Sequence, residues 1–274
     1  MQFIQADRRL LLRIFRPAGA ALLLVMFLTF AVAVRASPTE QEYLKLLQDS
    51  LVTYGGTADK AMRHVIDQAN KNDASDQFNL GTALMRVRHY FAAVEVLTRA
   101  TELAPRNALA FGYLGFSFYE IENCEKALPA LMKGFEADPS NSYYGHFFQL
   151  SGLCLTYKKD YAKAEQYCAK ARELRPRFPE PLLCLGRAQF NQGKYAEALL
   201  TYKEAYGMDF TSLYPPSIRE AQSGVLASLA KLNRLSDAGS ILTRTSKNSY
   251  QSEYVEQMAA RAVSELESGK KLRY

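Results

Sequence analysis

The residues able to do chemistry are few and scattered along the chain. His64, His89 and His146 are the three histidines among 274 residues. None lies at metal-ligand spacing from another histidine or a cysteine, and neither HExxH nor CxxC occurs. His89 stands beside Tyr90 at the start of a helical stretch, where a solvated imidazole is the simplest reading. Gly55-Gly56 has no Lys-Ser or Lys-Thr after it, so it reads as a turn and not a phosphate loop. No Gly-x-Ser-x-Gly elbow is present. The sequence therefore points to a chain that is not an enzyme and implies no metal and no cofactor.

Charge narrows the partners. Lys and Arg number 34 against 28 Asp and Glu, a formal net of +6. Residues 1–36 carry +4 of it, from Arg8, Arg9, Arg13, Arg16 and Arg35 against Asp7, which leaves the rest of the chain at +2. A nucleic-acid-binding body would need a concentrated basic face, and none is visible. The basic stretch precedes Ala18–Val34, a run without a charge. Such a run is expected to be an export signal or a single N-terminal membrane anchor, with the arginines holding its start in the cytoplasm. Ala31-Val32-Ala33 and Val34-Arg35-Ala36 are candidate cleavage sites. Residues 37–274 are then placed in the extracytoplasmic cell envelope, in the periplasm or tethered to the cytoplasmic membrane through residues 18–34.

The elements that position everything else announce themselves by repetition. Gly81, Gly115, Gly152 and Gly186 follow one another at 34, 37 and 34 residues. Twelve residues after each comes Ala93, Ala127, Ala164 or Ala198, and seven later Ala100, Gly134, Ala171 or Ala205. Pro105, Pro139 and Pro176 close three of the four units, with Phe210 in the fourth. The interval between glycine and alanine gives room for one helix to end, turn and begin a second. Small residues on facing sides let the two helices approach closely, where a larger side chain would overpack. Proline ends the second helix by removing a donor and constraining the residue before it. Tyr90, Tyr161 and Tyr195 sit three residues before the first alanine, where an aromatic can pin the turn.

This pattern resembles the tetratricopeptide repeat (TPR) family, whose unit is about 34 residues in two antiparallel helices. The family's tryptophan is replaced by Gln77, Phe111, Phe148 and Leu182. The resemblance implies an all-α solenoid of stacked antiparallel hairpins in a right-handed superhelix. Units are expected at 74–107, 108–141, 145–178 and 179–212, after a degenerate hairpin at 37–73. A degenerate fifth unit is expected at 219–248, beyond a long loop over 210–218, and a capping helix at 250–268. That last helix carries Val255, Met258, Ala259, Ala262, Val263 and Leu266 on one face, which suits the end of a solenoid. Cys124, Cys154, Cys168 and Cys184 fall within the repeats. A bond between Cys154 and Cys184 is conceivable, but packed helices lie about 8–10 Å apart and a disulfide needs Cα atoms within about 7 Å. Buried thiols are the preferred expectation.

In the family the first helices line a concave groove. Carried across, the groove would hold Phe78, Thr82, Met85 and Arg86, then Phe116, Tyr119 and Glu120, then His146, Gln149, Leu153 and Tyr157, and last Leu183, Arg187 and Phe190. Phe78 and Thr82 stand where chaperone-tail binders carry a Lys and Asn clamp, so that clamp is absent. The surface is aromatic and apolar with a few charges, suited to an amphipathic helix or a hydrophobic ligand. The competing reading is that a neighbouring cap or a second copy covers it. The expected function is a non-enzymatic envelope scaffold for an unidentified partner protein or peptide. The alternative is a receptor or carrier for a hydrophobic small molecule, accessory to a transporter.

Overall fold

Polar caps set the starts of the helices. Asp73 accepts from the N–H groups of Ser75 and Asp76, Asn107 from Ala110, Asn123 from Lys126 and Asp160 from Lys163, each satisfying donors that a helix start leaves open. The helices so begun are described in a computed structural model covering residues 37–138, 144–208, 215–242 and 252–268. An N-terminal hairpin, α1 (Glu40–Thr53) and α2 (Ala58–Gln68), precedes four helix pairs. These are α3 (Ala74–Arg86) with α4 (Tyr90–Leu103), α5 (Ala108–Glu120) with α6 (Cys124–Ala137), α7 (Tyr144–Tyr157) with α8 (Tyr161–Leu174), and α9 (Glu180–Asn191) with α10 (Tyr195–Gly207). There follow α11 (Pro215–Lys231), a short 3-10 turn leading into α12 (Ala238–Ile241), and α13 (Ser252–Glu267). No strand occurs among the described residues, and those from Thr39 onward form one compact unit. The fold is an all-α solenoid of stacked antiparallel helix pairs.

The repeated glycines are where each pair closes. A Cβ on Gly81 would meet Leu97 at 2.6 Å, on Gly115 Leu131 at 2.6 Å, on Gly152 the Cys168 sulfur at 2.4 Å, and on Gly186 the Tyr202 ring at 2.9 Å. Each partner lies on the second helix of the same pair. The alanines at 93, 127, 164 and 198 are wholly buried. The turns repeat as well: Arg88, Glu122, Lys159, Gly193 and Asn233 all have positive φ. One left-handed residue thus reverses the chain in each pair, and once more between α11 and α12. The N-terminal hairpin is fastened by Tyr43, whose hydroxyl donates to buried Asp76 at 2.5 Å. The same carboxylate accepts the Asn70 N–H.

Three expectations change. First, the cysteines are not thiols: Cys124 bonds Cys154 and Cys168 bonds Cys184, with Cα atoms 5.2 and 5.5 Å apart. Gly152 lies directly beneath the second bond, and such small residues bring the backbones inside the usual helix spacing. In the chain-entropy picture loops of this size contribute about 3–4 kcal/mol each. Second, α11 begins at Pro215, so the loop expected over 210–218 ends sooner; a first helical turn tolerates proline because its N–H has no partner to lose. Third, the expectation of a transmembrane helix is not sustained. Among the described residues no helix is long and apolar enough to cross a membrane, and the run at 18–34 lies outside them.

Candidate functional site

The first helices of successive pairs stand side by side, α5 packing on α7 and α7 on α9. Their side chains form an aromatic ladder. Phe78 lies beside Tyr113 with ring centroids 5.8 Å apart, and Tyr113 meets Phe147 edge-on at 5.9 Å. Phe116 contacts Tyr90 at 6.0 Å and His146 at 5.5 Å. Between these rings is a cavity of about 270 Å³ lined by Glu40, Thr82, Met85, Arg86, Tyr90, Tyr113 and Phe116. Its rim carries one ion pair, Arg86 to Glu40 at 2.9 Å. Phe78, Met85 and Phe116 are half-buried, Thr82 is buried and Arg86 is exposed. The hydroxyl of Thr82 donates to the Asn79 carbonyl, which leaves its methyl for packing.

Sequence reasoning missed Glu40, Tyr90 and Tyr113 as lining residues. Tyr113 is three residues before Phe116 and shares its helical face, a signal that was available. Glu40 comes from outside the repeats, where nothing local pointed to it.

The middle of the face is polar and largely enclosed. Arg175, following α8, donates to Gln149 Oε1 at 3.0 Å and lies 3.5 Å from His146 Nδ1. Burial, and then the Arg175 charge, push the His146 imidazole down to about 4. Its Nδ1 therefore acts as the acceptor and the ring is neutral near pH 7. Leu153 packs against the Cys168–Cys184 bond and Tyr119 against Cys124 and Cys154. Burial raises the Tyr119 phenol well above its ordinary value. Glu120 faces a different cavity of about 380 Å³, at the edge formed by the turns, with Asp59, Met62, Phe91 and Ile121. Tyr157 is 59% exposed at the far end of α7.

The last three expected residues are not accessible. Leu183, Arg187 and Phe190 are 4%, 6% and 1% exposed. Phe190 and Leu183 belong to a core shared with Val225, Leu226, Val255, Ala259 and Leu266, so α11 and α13 close over this part of the face. Arg187 is paired with Glu220 of α11, and Asn191 donates to the Leu266 carbonyl at 3.2 Å. The physical cause is the apolar stripe of α13, which buries itself on the end of the stack. Among the described residues no group of three or more His, Cys, Asp or Glu is placed to hold a metal ion.

Residues 78–142 match the tetratricopeptide repeat family. Over 119 residues, 43% of this chain, the sequence is 30% identical to a TPR repeat-containing protein of Methanocaldococcus jannaschii. That stretch spans a fifth of the archaeal protein's length. Two solved structures share the fold. One is YrrB, described as a TPR protein with an unusual peptide-binding site: TM-score 0.55, 23% identity, 74% of this chain and 97% of that one. The other is PilF of Pseudomonas aeruginosa: TM-score 0.56, 17% identity, 81% and 97%. With the glycine-built helix pairs and the recurring turns, the matched segment at 78–142 makes the chain similar to tetratricopeptide-repeat proteins, whose all-α solenoid fold it shares.

Proposed function

We propose that the protein is a binding scaffold that holds a peptide segment of a partner protein on the first-helix face of its N-terminal pairs. The observation that supports this most is the aromatic cavity between α1, α3 and α5. A space of about 270 Å³ takes one or two apolar side chains, and half-buried rings around it can cover them without rearranging the core. Arg86 and Glu40 at its rim offer one charge of each sign to a peptide backbone or polar side chain. A peptide-binding site is described for YrrB, whose fold this chain shares, which favours peptide over small molecule as the occupant. An all-α stack of helix pairs with a continuous first-helix face suits a scaffold. Its two disulfides support a chain that matures in an oxidising compartment outside the cytoplasm, with residues 1–36 as its export signal.

A photo-crosslinking residue placed at Phe116 tests the reading in cells. It should give discrete protein adducts that the same residue at Leu200, 66% exposed on a second helix, does not give. Adducts from both positions alike, or from neither, would remove the assignment. The carrier alternative is decided by native mass spectrometry, where a lipid-sized ligand retained by the purified protein and lost with Phe116→Ala would replace peptide as the occupant.

A further inference from the structure

Both disulfides follow one rule: each joins the second helix of a pair to the first helix of the next. Cys124 of α6 reaches Cys154 of α7, and Cys168 of α8 reaches Cys184 of α9. Four consecutive helices are thus stapled across two inter-repeat interfaces. The four residues are unequally exposed. Cys154, Cys168 and Cys184 are 0%, 0% and 1% exposed, while Cys124 is 8% exposed. Cys124 is also the first residue of α6, beside the turn at 121–123. A thiol freed there lies near the open N–H groups of a helix start, which favour the thiolate.

We propose that Cys124 is a thiol–disulfide exchange site through which an external dithiol oxidoreductase opens and closes the Cys124–Cys154 bond, while Cys168–Cys184 stays closed in the folded chain. On opening, one thiolate of the oxidoreductase attacks Cys124 Sγ. The bond to Cys154 breaks, and Cys154 leaves with the electron pair and takes a proton. The second thiol of the oxidoreductase then attacks its own sulfur in the mixed disulfide and releases Cys124. The protein gains two electrons and two protons, and the oxidoreductase is left as a disulfide. Closing runs the same steps backwards, with Cys124 as the nucleophile and Cys154 as the resolving thiol.

The bond has a route to the binding face. Phe118 and Tyr119 of α5 pack on the cluster of Cys124, Ala127 and Cys154, and Phe116 of the cavity is on the same helix. Opening the bond releases the α6–α7 interface beneath these rings. This consequence rests on the proposed binding face; the exchange chemistry does not.

The full-length oxidised protein, titrated with dithiothreitol in native buffer and quenched with N-ethylmaleimide, gives the test by peptide mapping. Cys124 and Cys154 should become alkylated at reductant concentrations at least tenfold below those that label Cys168 and Cys184. A thioredoxin-like oxidoreductase lacking its resolving cysteine should be trapped on Cys124. Simultaneous opening of both bonds, earlier opening of Cys168–Cys184, or trapping on another cysteine overturns the proposal. Hydrogen exchange in residues 108–157 should rise once the first bond is open, with residues 180–191 unchanged. Unaltered exchange in 108–157 overturns the link to the binding face even where the labelling order holds.

Discussion

The two ends of the first-helix face carry the same repeat signature and meet opposite fates. At α3 and α5, Met85, Tyr113 and Phe116 stay half-buried around an open cavity. At α9 every residue from Pro181 to Phe190 is buried. Leu80-Gly81 and Leu185-Gly186 are equivalent in both sequence and packing, since each glycine admits the second helix of its own pair. What differs is the neighbour. The α1–α2 hairpin leaves a gap at its contact with α3, whereas α11 and α13 lay apolar stripes over α9. The repeat motif therefore governs the inside of a helix pair, and the flanking elements govern whether its outer face is a surface or a core.

The largest expected effect lies at the closed end. Phe190→Ala removes a side chain buried among Leu183, Tyr195 and the α11–α13 core. Truncations of this kind cost about 3–5 kcal/mol. A large fall in the melting temperature is expected. A variant that melts like wild type would show that α13 does not seal α9 in solution, and the contrast between the two ends would collapse.

Gly115→Leu probes the open end from inside the pair. Its Cβ would stand 2.6 Å from Leu131 and 3.1 Å from the Ala127 carbonyl, so α5 and α6 must separate. Overpacking costs about 1–3 kcal/mol or more, and hydrogen exchange should rise chiefly in α5, α6 and their immediate neighbours. Unchanged protection there would contradict the close approach that defines the repeat.

A pH dependence should mark the middle of the face. His146 is neutral in the folded chain because burial and Arg175 hold it down to about 4, against 6.5 in the unfolded chain. Between those values the unfolded state binds a proton that the folded state refuses. Stability from this group is complete above pH 6.5 and is lost as pH falls toward 4, with a slope of at most about 1.4 kcal/mol per pH unit. His146→Gln should flatten the melting profile between pH 7 and 4.5. Identical slopes in the two proteins would mean that the imidazole is not enclosed as the structure has it.

These contrasts show which features the sequence carried. The fold was legible because glycine and alanine positions encode a steric fact, the contact of Gly81 with Leu97 or Gly115 with Leu131, and steric contacts leave fixed spacings. Closure over Phe190 was not legible from α9, whose apolar residues look like those of any first helix. It depends on α13, some sixty residues away in sequence and across segments with no repeat signature. The cysteine pairing was hidden for a different reason. Assigning Cys154 and Cys184 to successive first helices drew attention to the wrong interface. The order second helix, first helix, second helix, first helix for residues 124, 154, 168 and 184 was the usable signal, since a second helix lies against the next first helix in the stack.

The smallest effect on stability should come with the largest effect on binding. Phe116 is half-buried, touching Tyr90 and His146 by ring edges and tilted faces, so its loss removes contacts at the cavity wall without emptying a sealed core. Phe116→Ala should therefore destabilise by well under the several kcal/mol expected of Phe190→Ala, about 1 kcal/mol for the loss of partial burial and ring contacts. An aromatic at the centre of a binding surface commonly accounts for about 2 kcal/mol or more of affinity, so capture of the partner found by crosslinking should fall about thirtyfold. Calorimetry of the variant beside the binding assay separates the two quantities. Equal destabilisation by Phe116→Ala and Phe190→Ala would make both ends of the face core. A stable Phe116→Ala protein with undiminished binding would move the partner away from the cavity, toward the turn-edge pocket around Phe91 and Ile121.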